Sequence, residues 1–259
     1  MKPIKIVFDK SYETDYRTVS CEVPGRVASI MDKLSPLYET VVPQPCSEDD
    51  ILLCHSEGLL MVEKHDPVRY EIARKAAGGA IMAAKLALEG SISFAVVRPP
   101  GHHANPDHNW GFCFFNNMGI AVRKMLAEKI IDRAVILDID LHFGDGTDAI
   151  FRYDEAVRVF NIQSSTRREF IEETRSALED AGNAGILGIS AGFDQYELDW
   201  GANLTTGDYH EIGVIAGTYA RNFCSGRVFI LLEGGYYLPD LGANALSLLT
   251  GVAEGVDEK

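Results

Sequence analysis

The chain has 259 residues, 46% of them hydrophobic and 24% charged, which is enough apolar material for one sizeable core. Lysine and arginine total 24 against 38 aspartates and glutamates, giving a net charge of −14 at pH 7. A surface of this charge repels phosphate backbones and attracts cations. We therefore expect no nucleic-acid partner and consider a cationic ligand compatible with the composition.

Neither membrane insertion nor secretion is indicated by the sequence. No apolar run is long enough to span a bilayer, and the first ten residues lack the pattern of a signal peptide. The five cysteines are scattered without a CxxC pair, which argues against both a disulfide framework and a cysteine metal site. We expect a cytoplasmic protein with reduced thiols and no membrane partner.

Along the chain, short β-branched runs alternate with segments of helical periodicity. The predicted strands are 4–8, 93–97, 134–140, 157–162, 185–190 and 227–232. The predicted helices are 70–88, 118–128, 164–181, 206–223 and 241–252. This alternation predicts an α/β fold in which a parallel sheet lies between helices on both faces, and the absence of repeats or linkers predicts one domain over residues 1–259.

Four unusual polar clusters each follow a predicted strand. They are His102 with His103, residues 138–145, Asp194, and residues 233–237. In open parallel sheets, ligands bind beyond the carboxyl ends of the strands, where the loops converge. The four clusters are therefore expected to share one site.

A metal site is indicated by Asp138, Asp140 and His142, whose spacing by two turns all three to one face of an extended segment. Carboxylate oxygens and imidazole nitrogens suit a divalent metal. A catalytic zinc ion needs three protein ligands, and Asp194 is the best candidate for the third. The alternative is a solvated strand end that carries the N-cap of a helix near Asp145.

The tandem histidines His102 and His103 lie in a Pro- and Gly-containing loop, which is a poor place for two core residues. Beside a metal, such a pair suits proton transfer from water to a leaving amine. Asp138 and Asp145 are not needed as ligands, so they are the natural carboxylate partners of the two imidazoles.

The segment LEGGYY places Tyr236 after two glycines at the end of a predicted strand. There a phenol could donate a hydrogen bond to a substrate carbonyl as negative charge develops on it. For either tyrosine of this segment, a packed aromatic side chain is the ordinary alternative.

Together, RPPGHHA, WGFCFFNN, ILDIDLHFGDGT, SAGFD and LEGGYY resemble the histone deacetylase and acetylpolyamine amidohydrolase superfamily, over about residues 20 to 250. The resemblance implies the three-layer arginase/deacetylase α/β fold and a zinc-dependent amidohydrolase that removes acetyl groups from amines, either acetylpolyamines or acetyl-lysine. It implies Asp140, His142 and Asp194 as zinc ligands, His102 and His103 as the proton-transfer pair, Tyr236 as the carbonyl-polarising group, and Asp138 and Asp145 as supports of the histidines.

The same resemblance implies substrate contacts and ions. The Gly111 carbonyl would accept the substrate amide N–H, and Phe112 would form one wall of the tunnel. Zn²⁺ is the expected cofactor, although the sequence does not separate it from Fe²⁺. K⁺ is a further candidate as a structural ion, bound partly by the backbone of residues 138–142.

The chain also departs from the family pattern. Near the start of the chain, residues 20–26 read SCEVPGR where members of the family carry a His-Pro-Glu-Arg-Pro stretch. Arg26 still matches the arginine that lines an acetate-exit cavity in the family. After residue 162 the chain enters a helical pattern without the long loop that carries a second tunnel-wall aromatic. We therefore expect a more open pocket, or one completed in a homo-oligomer, and a small cationic acetylated amine as substrate. Glu197 and Asp199 are the predicted binding residues for its distal ammonium group.

Three other functions are alternatives. GISAG around Ser190 matches a serine hydrolase nucleophile elbow, but the expected helix does not follow it. A non-catalytic relative that binds acetylated ligands is the second alternative. The third, a dinuclear manganese ureohydrolase, needs further carboxylates where Gly144 and Tyr196 stand, so it is not expected.

Overall fold

The computed structural model describes residues 2–258, in which seven parallel strands form one sheet in the order β2-β1-β3-β7-β6-β4-β5. The strands are β1 Ile4–Val7, β2 Glu39–Val41, β3 Ile92–Ala95, β4 Ala134–Asp138, β5 Val157–Asn161, β6 Ile186–Ala191 and β7 Val228–Leu232. The α-helices are α1 Gly25–Leu34, α2 Glu48–Leu52, α3 Glu57–Glu63, α4 Pro67–Leu88, α5 Asn117–Ala127, α6 Asp145–Phe151, α7 Arg167–Asp180, α8 Thr206–Phe223 and α9 Leu238–Asp257. A short 3₁₀ helix spans Lys10–Glu13.

The predicted α/β fold with a parallel sheet is confirmed, and all eleven predicted elements are present, ten of them with shifted ends and α8 with the predicted ones. Strand β2 and the helices α1, α2 and α3 were not predicted, and α6 was foreseen only as the helix near Asp145 in the alternative to a metal site. Strand β2 has only three residues, largely exposed, so it lacks the apolar run that marks a buried strand. No helix within residues 2–258 has the length and apolarity needed to cross a membrane.

The centre of the sheet is the core of the molecule. Every residue of β3, β4, β6 and β7 is buried, as expected for parallel strands covered by helices on both faces. Strand β5, at the edge, is only partly buried. The buried strands therefore give a rigid base for the loops that leave their carboxyl ends.

The strand register places those loops at one level. Asp138 at the end of β4 pairs with Ser190 of β6, and Ser190 pairs with Leu231 of β7. Strand β3, which leads to the histidine loop, lies on the other side of β7. Loops that are distant in sequence thus meet at one edge of the sheet, as the sequence analysis expected.

Candidate active site

Asp140, His142 and Asp194 form a cluster whose potential ligand atoms all lie within 4.8 Å of one another. His142 Nδ1 is 3.2 Å from Asp140 Oδ1 and 3.1 Å from Asp194 Oδ2. Both carboxylates are buried, whereas the His142 side chain is 38% exposed. The cluster therefore has a closed side formed by the sheet and an open side that faces the cavity.

Backbone N–H groups and two glycines allow the carboxylates of Asp140 and Asp194 to pack closely. Asp140 Oδ2 accepts a hydrogen bond from Gly234 N (2.8 Å), and Asp194 Oδ1 accepts one from Leu141 N (3.0 Å). A β-carbon at Gly192 would collide with Asp140, and one at Gly234 would collide with both carboxylates. Glycine at these positions lets the carboxylates approach each other.

The electrostatics of the cluster fit a divalent cation. Burial and the charge of Asp140 raise the pKa of Asp194 to about 7, and the carboxylates of Asp140 and Asp194 raise the pKa of His142 to about 10. Asp194 Oδ2 is buried and receives no hydrogen bond of good geometry, and its nearest polar neighbour is His142 Nδ1 at 3.1 Å. Crowded buried carboxylates are stabilised by a bound cation, and two oxygen ligands with one imidazole suit Zn²⁺.

The tandem histidines each contact one carboxylate. His102 Nδ1 lies 3.0 Å from Asp138 Oδ2, and His103 Nδ1 lies 2.7 Å from Asp145 Oδ1. Although burial opposes it, the charges of Asp140 and Asp138 raise the pKa of His102 well above its usual range. Burial and the neighbouring His102 lower the pKa of His103 to about 4. The two ring centroids lie 4.0 Å apart. These pKa shifts favour a protonated His102 and a neutral His103 near neutral pH.

Tyr236 follows a tight turn at Gly234 and Gly235, and hydrogen bonds from Arg26 stabilise this turn. Gly235 has φ +117°, a conformation that glycine adopts readily. The buried Arg26 donates from Nε to Gly235 O (2.7 Å) and from its guanidinium to Glu233 O, and it lies 4.9 Å from the centre of the Tyr236 ring. Burial raises the pKa of Tyr236 above its usual range, so the phenol stays protonated and can donate a hydrogen bond.

These side chains surround a cavity of about 90 Å³. Its lining residues are Pro100, His102, His103, Trp110, Gly111, Phe112, His142, Trp200, Gly234 and Tyr236. Gly111 and Phe112 lie in a turn with φ +59° and +67°, and a β-carbon at Gly111 would collide with the His103 ring. Asp138, Asp140, Asp145 and Asp194 lie behind the lining and hold the two histidines and His142. The structure thus brings the predicted metal-ligand and catalytic residues to one place, together with Gly111 and Phe112.

Two further residues support the histidine loop and were not singled out from the sequence. The buried Glu233 accepts hydrogen bonds from Gly101 N (2.7 Å) and His102 N (3.1 Å), and burial raises its pKa to about 7. The Trp110 ring lies 3.9 Å from the His103 ring, and its Nε1 donates to Asp145 Oδ2 (3.0 Å). Glu233 stands in one of the four polar clusters, so that pattern already pointed to it.

The loop after β6 corrects two expectations. Asp199, predicted to hold a distal ammonium group, instead accepts the backbone N–H groups of Tyr236 (2.6 Å) and Tyr237 (2.7 Å). Neither Glu197 nor Asp199 lines the cavity. Trp200 of the same loop lines the cavity, an aromatic residue that the sequence did not single out. The more open pocket expected from the short segment after residue 162 stays a prediction.

The serine hydrolase alternative is not supported by the geometry. Ser190 is completely buried within β6, where its hydroxyl donates to Glu233 Oε1 (3.3 Å). The next helix, α8, begins only at Thr206, and His210 on that helix pairs with Glu254 (3.2 Å). Ser190 therefore has neither the sharp turn nor the neighbouring base of a nucleophile elbow.

Comparison with known proteins identifies the family. Residues 20–184 match the family model of the histone deacetylase domain. The chain belongs to the histone deacetylase family. The matched range contains the histidine loop and the first two metal-ligand candidates, while Asp194 and Tyr236 follow it. At the family level, this match and the names of the relatives support a deacetylase, which is a hydrolase of acetylated amines.

Curated members of the histone deacetylase family show how far the similarity extends. A probable deacetylase of Methanothermobacter thermautotrophicus is 34% identical over 66% of this chain and 59% of its own length. A probable deacetylase of Archaeoglobus fulgidus is 31% identical over 89% of this chain and 80% of its own length. A histone deacetylase-like amidohydrolase of Pseudomonas aeruginosa is 27% identical over 92% of this chain and 78% of its own length. The chain thus spans about three-fifths to four-fifths of the length of these relatives.

A solved structure supports the fold independently of sequence identity. The crystal structure of the HDA15 HD domain superposes with a TM-score of 0.87 over 98% of this chain and 90% of its own. Because the two sequences are only 20% identical, this likeness establishes the arginase/deacetylase fold alone.

Proposed function

We propose that this chain is a zinc-dependent deacetylase that hydrolyses the amide bond of an acetylated amine. The observation that carries the proposal is the convergence of three groups on one small cavity. These groups are the cluster of Asp140, His142 and Asp194, the oppositely tuned pair of His102 and His103, and the phenol of Tyr236.

The metal would be held by Asp140, His142 and Asp194. When bound there, Zn²⁺ polarises the substrate carbonyl and lowers the pKa of water, and Fe²⁺ suits the same ligands. A structural K⁺ near the backbone of residues 138–142 belongs to the same proposal.

The histidines divide the proton transfer. His103 donates from Nδ1 to Asp145 when neutral, which leaves Nε2 free to accept a proton from the attacking water. The same nitrogen then returns that proton to the departing amine. His102, whose Nδ1 contacts Asp138, would stabilise the negative charge that develops nearby.

Tyr236 acts on the other side of the substrate carbonyl. Its hydroxyl donates a hydrogen bond to the carbonyl oxygen as that oxygen becomes negative, and the Gly111 carbonyl accepts the amide N–H. Arg26 keeps the phenol in position through Gly235 and Glu233. The substrate is thereby oriented by donors and acceptors that are already in place before it binds.

The proposed substrate is a small acetylated cation such as an acetylpolyamine, with acetyl-lysine as the second candidate. A cavity of about 90 Å³ accepts a slender acetylated chain rather than a bulky group. The net charge of −14 favours cations of either kind. We also propose a cytoplasmic enzyme that acts on small molecules.

The test is a comparison of kcat/KM for acetylputrescine, acetylspermidine, acetyl-lysine and acetylated peptides, after loading with Zn²⁺ or Fe²⁺ and measuring the metal content. We expect one ion per chain, inhibition by a hydroxamate, resistance to a fluorophosphonate and preference for the polyamines. A preference for peptides by more than about tenfold, which corresponds to ~1.4 kcal/mol, would overturn the substrate class alone. Binding of all four compounds without turnover would instead indicate a non-catalytic relative.

A further inference from the structure

The carboxylate of Asp145, which contacts the proposed base His103, is itself held by two donors. Asp145 Oδ1 lies 2.7 Å from His103 Nδ1, and Oδ2 accepts hydrogen bonds from Asn105 Nδ2 (2.7 Å) and Trp110 Nε1 (3.0 Å). The Asp145 side chain is 35% exposed, so water competes with the protein for its oxygens. The two donors to Oδ2 therefore fix a carboxylate that burial alone does not fix.

Asn105 also binds the backbone of the histidine that it supports. Its Nδ2 donates a second hydrogen bond to the His103 carbonyl (3.2 Å). The carbonyl of His103 and the carboxylate of Asp145 are both acceptors, so the amide nitrogen of Asn105, rather than its oxygen, faces them. One amide group thus joins the backbone of His103 to the carboxylate that orients the His103 ring.

The start of helix α6 brings Asp145 to this amide. A β-carbon at Gly146 would lie 2.4 Å from the Ala104 carbonyl oxygen, so glycine lets the helix pack directly on the histidine loop. Thr147 N donates to the carbonyl of His102 (3.1 Å). Because the backbone is fixed in this way, the donors to Oδ2 determine the direction in which the Asp145 side chain turns.

Asn105 itself lies behind the cavity. It is 7% exposed and does not line the cavity. Its backbone N–H donates to His108 O (2.8 Å), and its carbonyl lies 2.9 Å from His55 Nδ1. A substrate in the cavity therefore does not meet the Asn105 side chain, whose effect on a reaction there passes through Asp145 and His103.

We propose that Asn105 is a positioning residue for deacetylation, which holds Asp145 so that His103 carries its proton on Nδ1 and keeps Nε2 free. The proposal rests on the deacetylase function proposed above. A neutral amide suits this role, because it donates to Asp145 without cancelling the charge that attracts the His103 N–H. Without this amide, the carboxylate turns more freely toward water and the His103 ring loses its fixed orientation.

The experiment measures kcat and KM of the metal-loaded enzyme for acetylputrescine and for 4-nitrophenyl acetate, whose leaving group departs without a proton at neutral pH. Asn105→Ala should lower kcat for the amine about tenfold, the effect of losing one hydrogen bond to a charged group. KM should stay unchanged, since Asn105 does not line the cavity. The loss should be smaller for the ester, because its leaving group needs no proton from His103. Equal losses for amine and ester would indicate a merely structural role and overturn the proposal.

Asn105→Asp is the sharper variant, because it keeps the shape of the side chain but replaces its donors by an acceptor that repels Asp145. We expect its kcat to fall about 100-fold, further than that of Asn105→Ala. Adding Asp145→Asn restores a donor opposite the new carboxylate and leaves an amide oxygen for His103 Nδ1. The double variant should therefore be more active than Asn105→Asp alone. A double variant whose loss is the product of the two single losses would contradict the proposal.

His108→Ala is the matched control and should behave as the wild type, because it removes an exposed ring from the same loop, outside the cavity. ¹⁵N NMR of labelled histidines gives a readout independent of turnover. The His103 signal, assigned by its loss in His103→Gln, should show a proton on Nδ1 in the wild type and a smaller population of this tautomer in Asn105→Ala. An unchanged tautomer would overturn the proposal even if kcat fell. If the wild type hydrolyses no acetylated amine, the deacetylase proposal fails, and the tautomer alone decides the role of Asn105.

Discussion

The floor of the site and its rim are built in different ways. The floor consists of Asp138, Asp140, Asp194 and Glu233, which are buried carboxylates at or just beyond the ends of neighbouring strands. The rim consists of the aromatic rings at the mouth of the cavity, those of Trp110, Phe112, Trp200 and Tyr236, without the proposed base His103 and the metal-ligand candidate His142. Trp200 and Trp110 are about half exposed and come from loops. Strand register fixes the floor, whereas loop hydrogen bonds fix the rim. The difference indicates that the floor determines the reaction and the rim determines which substrates reach it.

The two regions also differ in energetic cost. Buried carboxylates are costly unless hydrogen bonds or a cation compensate them, and the floor collects backbone N–H groups, a histidine and a site for a metal. The rim buries apolar rings with little desolvation cost. Substitutions in the floor should therefore abolish the reaction, and substitutions in the rim should change selectivity.

The largest effect is expected for Asp194→Asn in the floor. Loss of the charge removes a metal ligand, so Zn²⁺ affinity should fall by more than about 100-fold, beyond the range for residues that only support a ligand. Turnover should fall below detection, as measured by metal content and acetyl-lysine hydrolysis. The exposed Asp132→Asn makes the same chemical change away from the site and should match the wild type. Full metal binding by Asp194→Asn would contradict the assignment of this ligand.

Tyr236→Phe belongs to both regions, because its hydroxyl acts on the reaction while its ring forms part of the rim. Losing one donor to the developing oxyanion should lower kcat by about 100- to 1,000-fold, with KM and the fold retained. The neighbouring Tyr237→Phe serves as the control, since Tyr237 does not line the cavity. An unchanged kcat in Tyr236→Phe would show that the phenol takes no part in the reaction.

A smaller effect is expected for Asp199→Asn, which connects the rim to the turn of Tyr236. Asp199 Oδ2 accepts the N–H groups of Tyr236 and Tyr237, and Oδ1 accepts that of Trp200. The amide has one acceptor oxygen and turns an NH₂ group to the other side, so one side of this anchor is lost and kcat should fall by about fivefold, equivalent to ~1 kcal/mol. The loss should be equal for cationic and neutral acetylated amines. A rise in KM confined to the cationic substrates, in Asp199→Asn or in Glu197→Gln, would instead support the ammonium-binding role first expected from the sequence.

The sequence was sufficient to predict three carboxylates of the floor, Asp138, Asp140 and Asp194, whereas Glu233 was only part of a polar cluster. These carboxylates stand at or just after the ends of β4 and β6, and neighbouring parallel strands bring their carboxyl ends together. Strand β4 ends at Asp138, so side-chain hydrogen bonds to the backbone of Asp140 and His142, rather than strand periodicity, fix the segment beyond it. The rim could not be predicted in the same way. Trp200 reaches the cavity through backbone bonds to Asp194 and through Asp199, and no sequence periodicity encodes such contacts.

His55 offers the smallest expected effect on turnover, since it lies outside both floor and rim but supports the histidine loop. His55 is buried, and its lowered pKa keeps it neutral near pH 7. Its Nδ1 donates to Asn105 O (2.9 Å), and its Nε2 accepts the N–H of Asn116 (2.9 Å). Protonation of Nε2 would break the second bond, and burial lowers the pKa of His55 from 6.5 to about 4.

Between pH 6.5 and 4 the unfolded chain binds more protons at His55 than the folded chain does, so the free energy of unfolding decreases as the pH falls through this range. From pH 7 to pH 5 the contribution is ~2 kcal/mol. Urea unfolding measures the decrease in the free energy of unfolding from pH 7 to pH 5. This decrease should be smaller in His55→Gln than in the wild type by the amount given above. The exposed His65→Gln should show the same decrease as the wild type. Turnover at pH 7 should change by less than about twofold in both variants, within the range for residues remote from the chemistry. Equal pH dependence in all three proteins would mean that another buried group governs acid stability, and that the histidine loop does not depend on a neutral His55.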